Sequence, residues 1–198
     1  MKEEKREKMK EQTVYETILK RRSIRNFLDK SVERSVIERL LKAAMAAPSA
    51  CNLQPWSFIV VDDSNLLIEL KDVTEQGKYN APLAIIVCGA YKHIPWDGQA
   101  WMFDCGAAAQ NMMLAATELG LASVCVGGFD EEALHNLLEI PDDIEPVCII
   151  EFGYPAYERE PLTWYTEEAV HWQKFDKSKV RTMRTLQMLQ EDIAAGIL

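Results

Sequence analysis

Arg21, Arg22, Ser23 and Arg25 place three guanidinium groups and a hydroxyl within five residues, a compact array of hydrogen-bond donors. Guanidinium is the side chain best matched to a phosphate, or to a polarised carbonyl beside a ring nitrogen, so the array suits an anionic ligand. The same arginines also suit the C-terminal end of a helix, where cations gain a few tenths to about 1 kcal/mol from the macrodipole. The residues by themselves leave both readings open. A second stretch, Pro48, Ser49, Ala50, Cys51, Asn52, Leu53, Gln54 and Pro55, is polar and turn-rich and lies between a helical pattern and an apolar strand pattern. Loops fixed by such elements are where ligand-binding groups concentrate. An ordinary connection, with Ser49 and Asn52 bonding their own backbone, explains the same composition.

Other chemistries find less support. The five cysteines, Cys51, Cys88, Cys105, Cys125 and Cys148, are odd in number and widely spaced, and most lie in apolar runs such as IIVCGA and SVCVGGF, as small buried hydrophobes do. There is no CxxC pair, and His93, His135 and His171 are far from one another, so no metal site is expected. Neither GxGxxG after the first strand nor GxxxxGK[ST] occurs, which argues against dinucleotide-binding Rossmann and P-loop readings. A net charge of -9 disfavours nucleic acid and anionic membranes as partners, and any anionic cofactor needs a local basic pocket. The opening MKEEKREKMKEQ is charged in both signs with no apolar core, unlike a signal peptide, and no apolar run reaches a membrane span, so a cytoplasmic location is expected.

The elements that position these residues follow from periodicity. Thr13 with Glu16 three residues on is a capping-box pattern that opens a short helix with Val14, Ile18 and Leu19 on its apolar side, and this helix delivers the arginines. Val36, Ile37, Leu40, Leu41 and Ala44 predict a helix from about Ser35 to Ala46, stopped by Pro48. Strands are expected at Trp56 to Val61, ended by the turn cluster Asp62, Asp63, Ser64 and Asn65, and at Leu83 to Cys88, both apolar as central strands are. From about Ala100 to Leu119 the chain is helix-forming and apolar nearly all round, which places it in the core centre or a subunit interface. Val124 and Val126 lie in a third strand, Asp130 caps a helix, and Val147 to Phe152 forms the last strand. The tail from about Lys177, with Val180, Met183, Leu186, Leu189 and Ile193, is amphipathic and fits a helix packing on a partner subunit. With 48% hydrophobic residues and no internal repeat, the chain reads as an α+β or three-layer α/β/α domain.

RRSIRNF and PSACNLQPW as a pair, with DCGAAAQNMMLAATELGL, SVCVGGF, IIEFGYPA and EEAVHWQKF, resemble the FMN-dependent nitroreductase family from about Thr13 to Phe175. The resemblance implies a three-layer α/β/α fold with a mostly antiparallel central sheet, built as an intertwined homodimer with FMN between subunits. It divides the chain into a charged extension, residues 1–12, a cofactor-binding domain, residues 13–175, and a helical tail, residues 176–198. It assigns phosphate and isoalloxazine contacts to Arg21, Arg22, Ser23 and Arg25, contacts from the other subunit to Pro48, Ser49, Ala50, Asn52 and Gln54, and backbone contacts near flavin N5 to Val126, Gly127 and Gly128. Members of the family commonly carry a basic residue between the GYP turn and the closing helix; Trp164 occupies that place here, and Arg159 is the nearest basic substitute.

What the resemblance implies for activity is ping-pong hydride transfer from NADH or NADPH through FMN to a nitro compound, quinone or other small electron-poor substrate. The flavin carries the chemistry, so no catalytic acid, base or nucleophile is expected, and an arginine, best Arg25, would favour the reduced ring by facing N1 and the C2 carbonyl. The other readings are a flavin-binding protein with little NAD(P)H turnover, acting as a sensor, store or ferredoxin-fed reductase, and a chain that keeps the fold without the cofactor. Tyr91, Trp96, Trp101 and Phe103 either shape a substrate pocket or pack in the core or an interface.

Overall fold

A computed structural model describes residues 13–74, 79–93, 98–160, 165–179 and 185–194. The chain divides into two compact units, residues 1–161 and 162–198.

The first unit is a four-stranded antiparallel sheet between two helical layers. Its strands, β1 (Trp56–Val61), β2 (Leu83–Gly89), β3 (Ala122–Val126) and β4 (Glu145–Gly153), lie in the order β1-β2-β4-β3. β2 is buried at every residue, as its unbroken apolar run requires, whereas β1, expected from its composition to be central, is an edge strand with only Val61 fully buried. Period-two alternation divides the core. Leu83, Ile85, Val87, Cys148, Ile150 and Phe152 face the helices α2 (Arg34–Met45) and α4 (Ala100–Glu118). Ala84, Ile86, Cys88, Val126 and Ile149 face α3 (Ser64–Asp72) and α5 (Glu131–Leu138). Each fully buried Leu or Ile contributes roughly 1.5–3 kcal/mol of transfer free energy.

The helix α1 (Val14–Lys20) opens with the expected reciprocal capping box, Glu16 N–H donating to Thr13 Oγ1 and Thr13 N–H to Glu16 Oε2. The Asp62 to Asn65 cluster is not a turn. Asp63 Oδ1 accepts the N–H groups of Asn65 and Leu66 at 3.0 Å and so caps α3, which buries Leu67 and Leu70. α4 buries one face, Asp104, Cys105, Ala108, Ala109, Met112 and Ala116, while Met102 and Phe103 are exposed.

In the second unit Lys179 ties the segment together, its Nζ lying 3.2 Å from Glu167 Oε1 and donating to the Val170 carbonyl at 2.8 Å. His171 stacks on Phe175 with ring centres 4.1 Å apart, and a last helix, α6, spans Leu186–Ala194. Of the tail residues expected to meet a partner, Val180 and Met183, and the side chains of Leu189 and Ile193, lie outside the described residues; Leu186 is exposed.

Candidate functional site

The arginine segment is fixed between the end of α1 and the β3 edge of the sheet. Arg21 N–H donates to the Thr17 carbonyl at the end of α1, and Ile24 N–H to the Ser123 carbonyl of β3 at 3.1 Å, where Ser23 and Ser123 form a parallel bridge. Ile24 and Phe27 bury their side chains. Asn80 clamps Phe27 from both sides, accepting its N–H at 3.0 Å and donating to its carbonyl at 2.7 Å. A Cβ added at Gly153 would lie 2.9 Å from the Phe27 ring, so β4 needs glycine at this approach.

Pinning the backbone leaves the arginine side chains half-buried with donors to spare. Arg22 Nε and Arg25 Nη1 are buried and have no hydrogen-bond partner among the described residues. Burial lowers the Arg22 pKa from its ordinary value, and the neighbouring Arg21 and Arg159 lower it further. Each guanidinium group held this way favours an acceptor-rich, anionic partner. Arg22 and Arg159 line a cavity of about 620 Å³ with Lys20, Ile24, Ala122 and Tyr157; Glu16, Glu158 and Glu160 share it, so its charge is mixed. The cavity holds Arg22 alone among the predicted site residues. Trp164 lies outside the described residues.

Val126, Gly127 and Gly128 follow at the end of β3, and a Cβ added at Gly127 would meet nothing within 4 Å, so the backbone there is open to close approach. The structure therefore groups two of the three predicted sets, the arginine segment and residues 126–128, on one edge strand.

It does not bring the third set to them. Pro48, Ser49, Ala50, Asn52 and Gln54 lead into β1 at the opposite edge, three strand spacings or about 14 Å of sheet away. This loop is internally satisfied: Ser49 Oγ accepts from Gln54 N–H at 3.0 Å, Gln54 Nε2 donates to Asn52 Oδ1 at 2.9 Å, and both Asp104 oxygens lie 3.2 Å from Ala50 N. Its backbone is strained, with φ of 49° at Cys51, 57° at Asn52 and 50° at Gln54. Non-glycine residues in this region cost about 1–2 kcal/mol each and persist where surrounding contacts over-determine them, most often at functional sites.

Two residues escaped the sequence reading. Asp104 is buried and anchors the second loop; its signal is a carboxylate amid a helix otherwise apolar on that face. Cys125, expected to be buried like the other cysteines of apolar runs, is exposed on an otherwise buried β3, close enough to Arg21 for that charge to favour its thiolate. Among the aromatics, Tyr91 and Trp101 pair with ring centres 5.7 Å apart and Trp101 packs on the core, whereas Phe103 is 78% exposed; Trp96 lies outside the described residues. The described residues contain no cluster of three or more metal-ligating side chains and no helix long and apolar enough to cross a membrane.

The profile of the nitroreductase family matches residues 18–78 and 68–154, spanning the arginine segment, the strained loop and β3. The chain belongs to the nitroreductase family. A protein of Archaeoglobus fulgidus named "Putative NADH dehydrogenase/NAD(P)H nitroreductase" is 42% identical over 149 residues, 72% of this chain and 86% of that protein. Among solved structures, a nitroreductase family protein from Clostridium difficile superposes with a TM-score of 0.75 at 34% identity, over 82% of this chain and 99% of that one. A second protein of the same species, named an FMN-dependent nitroreductase, gives a TM-score of 0.70 at 32% identity, over 80% of this chain and 98% of that one. The α/β/α fold seen here is thus the nitroreductase fold, as the motifs implied.

Proposed function

We propose that this nitroreductase family member is an FMN-dependent oxidoreductase that transfers hydride equivalents from NADH or NADPH to a nitro compound, quinone or other small electron-poor acceptor. The observation that carries the reading is the pair of guanidinium atoms, Arg22 Nε and Arg25 Nη1, buried without a partner among the described residues, on a segment that bridges β3, the strand that ends in the open backbone of Gly127. These residues fit FMN, whose phosphate and ring oxygens are the acceptors they lack. Bound FMN would supply the redox-active ring, and the protein positions it and tunes its charge.

Each residue then has a role its placement supports. Arg25 offers a preorganised donor to the ring edge where negative charge develops on reduction, at no reorganisation cost. Arg22 and Arg159 share the positive charge that faces the phosphate, Arg159 replacing the basic residue displaced by Trp164, while Arg21 and Ser23 complete the donor set. Gly127 and its neighbours Val126 and Gly128 present backbone to the ring without a side chain in the way. Pro48, Ser49, Ala50, Asn52 and Gln54 reach this edge from a second copy of the chain, which resolves their distance from it in one copy. Apolar side chains exposed on α1 and α4, among them Val14 at 75%, Tyr15 at 69% and Phe103, provide surface for a homodimer.

The test is the absorbance spectrum of the purified full-length chain after incubation with FMN and desalting, followed by NADH and NADPH oxidation with a quinone acceptor. Near-stoichiometric FMN and acceptor-dependent turnover are expected. FMN retention without turnover favours the flavin-binding reading, and failure to retain FMN overturns the assignment of the arginine segment.

A further inference from the structure

The cavity beside Arg22 holds more than a flavin phosphate needs. At about 620 Å³ it is the size of a small-molecule site, yet of the residues assigned to the flavin only Arg22 and Arg159 line it. Lys20 adds a third cation, whereas Arg21 and Ser23, which belong to the flavin's donor set, do not line it. Arg159 lies over the Tyr157 ring with its Cζ 5.4 Å from the ring centre, and Tyr157 is 36% exposed, so a cation and an accessible aromatic ring stand side by side. Ile24 and Leu121 are a buried apolar wall, and Glu158 and Glu160 add carboxylates. Glu16 shares the cavity but is committed to the cap of α1. A bare anion would meet these carboxylates as well as the cations, and an apolar ligand would leave both signs unmatched. The ligand that matches the lining combines an anion, a flat ring and hydroxyl or amine donors, which is the chemistry of a nucleotide.

We propose that this cavity is the subsite for the adenylate half of the nicotinamide donor, and that it selects NADH over NADPH. The adenosine phosphate pairs with Lys20 and Arg159 beside Arg22, and the adenine stacks on Tyr157. Glu158 and Glu160 accept from the ribose hydroxyls, at the place where the 2′-phosphate of NADPH would be repelled. The proposal deepens the functional reading above and rests on it for the source of the adenylate. FAD carries the same moiety, and the experiment separates the two sources.

The full-length chain without flavin is titrated calorimetrically with AMP, adenosine 2′,5′-bisphosphate and inorganic phosphate. AMP should bind about tenfold to a hundredfold tighter than phosphate, an advantage that Tyr157→Ala removes. It should also bind tighter than the bisphosphate, a preference that Glu158→Gln combined with Glu160→Gln removes. In the FMN-loaded protein AMP should compete with NADH, raising its KM without lowering kcat. If AMP instead leaves that KM unmoved, and FAD is retained more tightly than FMN in the wild type but not in Tyr157→Ala, the subsite belongs to the flavin and the proposal is overturned. AMP no tighter than phosphate, or the bisphosphate as tight as AMP, overturns it in the wild type without recourse to any variant. AMP bound with these preferences by a chain that retains no FMN supports the subsite and sinks the cofactor reading; FMN retention without them does the reverse.

Discussion

The two edges of the sheet are stressed in different currencies of structure. All four described buried side-chain atoms without a partner, Arg22 Nε, Arg25 Nη1, Ser123 Oγ and Glu151 Oε2, belong to β3, its flanking segment or the adjoining β4. At the β1 edge the loop before the strand meets its hydrogen bonds within itself and through Asp104, yet holds three non-glycine residues at positive φ. One edge has a regular backbone with unmet donors and acceptors; the other has met side-chain bonds and a strained backbone. On the reading proposed above, Arg22 and Arg25 at the first edge take their acceptors from a ligand, whereas the second edge holds a shape set by its own contacts.

Glu151 offers the largest effect with which to break this contrast, because its Oε2 is buried without a partner among the described residues although no site role falls to it. It lies opposite Val124 of β3 and Ala84 of β2, and burial raises its pKa to about 8, against an opposing influence from Lys71. Below the ordinary carboxylate range folded and unfolded chains both bind this proton. Between about pH 4.5 and pH 8 the unfolded chain releases it and the folded chain keeps it, so stability falls as pH rises, by at most about 1.4 kcal/mol per pH unit. Denaturant unfolding at pH 5 and pH 8 should show a loss of a few kcal/mol in the wild type that Glu151→Gln largely removes. An equal loss in both proteins shows that Glu151 is ionised in the fold.

Arg25→Ala sharpens the comparison at the site itself. Removing a charged donor to an otherwise satisfied ligand costs about 1.5–3 kcal/mol, so FMN affinity measured by fluorescence quenching should weaken roughly tenfold to a hundredfold, with unfolding in the absence of FMN little changed. A variant that loses stability and keeps its FMN affinity assigns Arg25 to the fold.

Local signals made most of the architecture legible, and long-range pairing explains what they missed. The capping box of Thr13 and Glu16, the periodicity of α2 and the apolar run of β2 are each written within a dozen residues, and each appears as read. The α3 helix was hidden because Asp63 favours a turn and a helix cap equally, and the choice rests on Leu67 and Leu70 finding a buried face. Strand order is not local either: β1 is as apolar as a central strand, yet it ends the sheet because β4 pairs with the other side of β2. At the site, residue types pointed to the arginines and the loop, whereas the exposure of Cys125 and the reach of Asp104 to Ala50 depend on contacts between segments far apart in sequence.

The smallest expected effect probes the β1 edge. Asp104 is the only described side chain outside the loop that bonds its backbone in the strained stretch, through the Ala50 N–H. Asp104→Asn keeps the volume and one acceptor oxygen but gives up the charge-assisted bond, which is worth about 1 kcal/mol more than a neutral one. If the positive φ values at Cys51, Asn52 and Gln54 are held by that bond, the variant should lose about 1 kcal/mol of stability, and hydrogen exchange should accelerate in residues 49–54 while β3 is unchanged. If the homodimer places this loop against the partner's cofactor, FMN release should also quicken in Asp104→Asn although Asp104 lies at the edge remote from its own chain's arginines. Faster release with no change in loop exchange would show that the loop's shape is set by its own Ser49, Asn52 and Gln54 bonds, with the Asp104 charge acting on the cofactor directly.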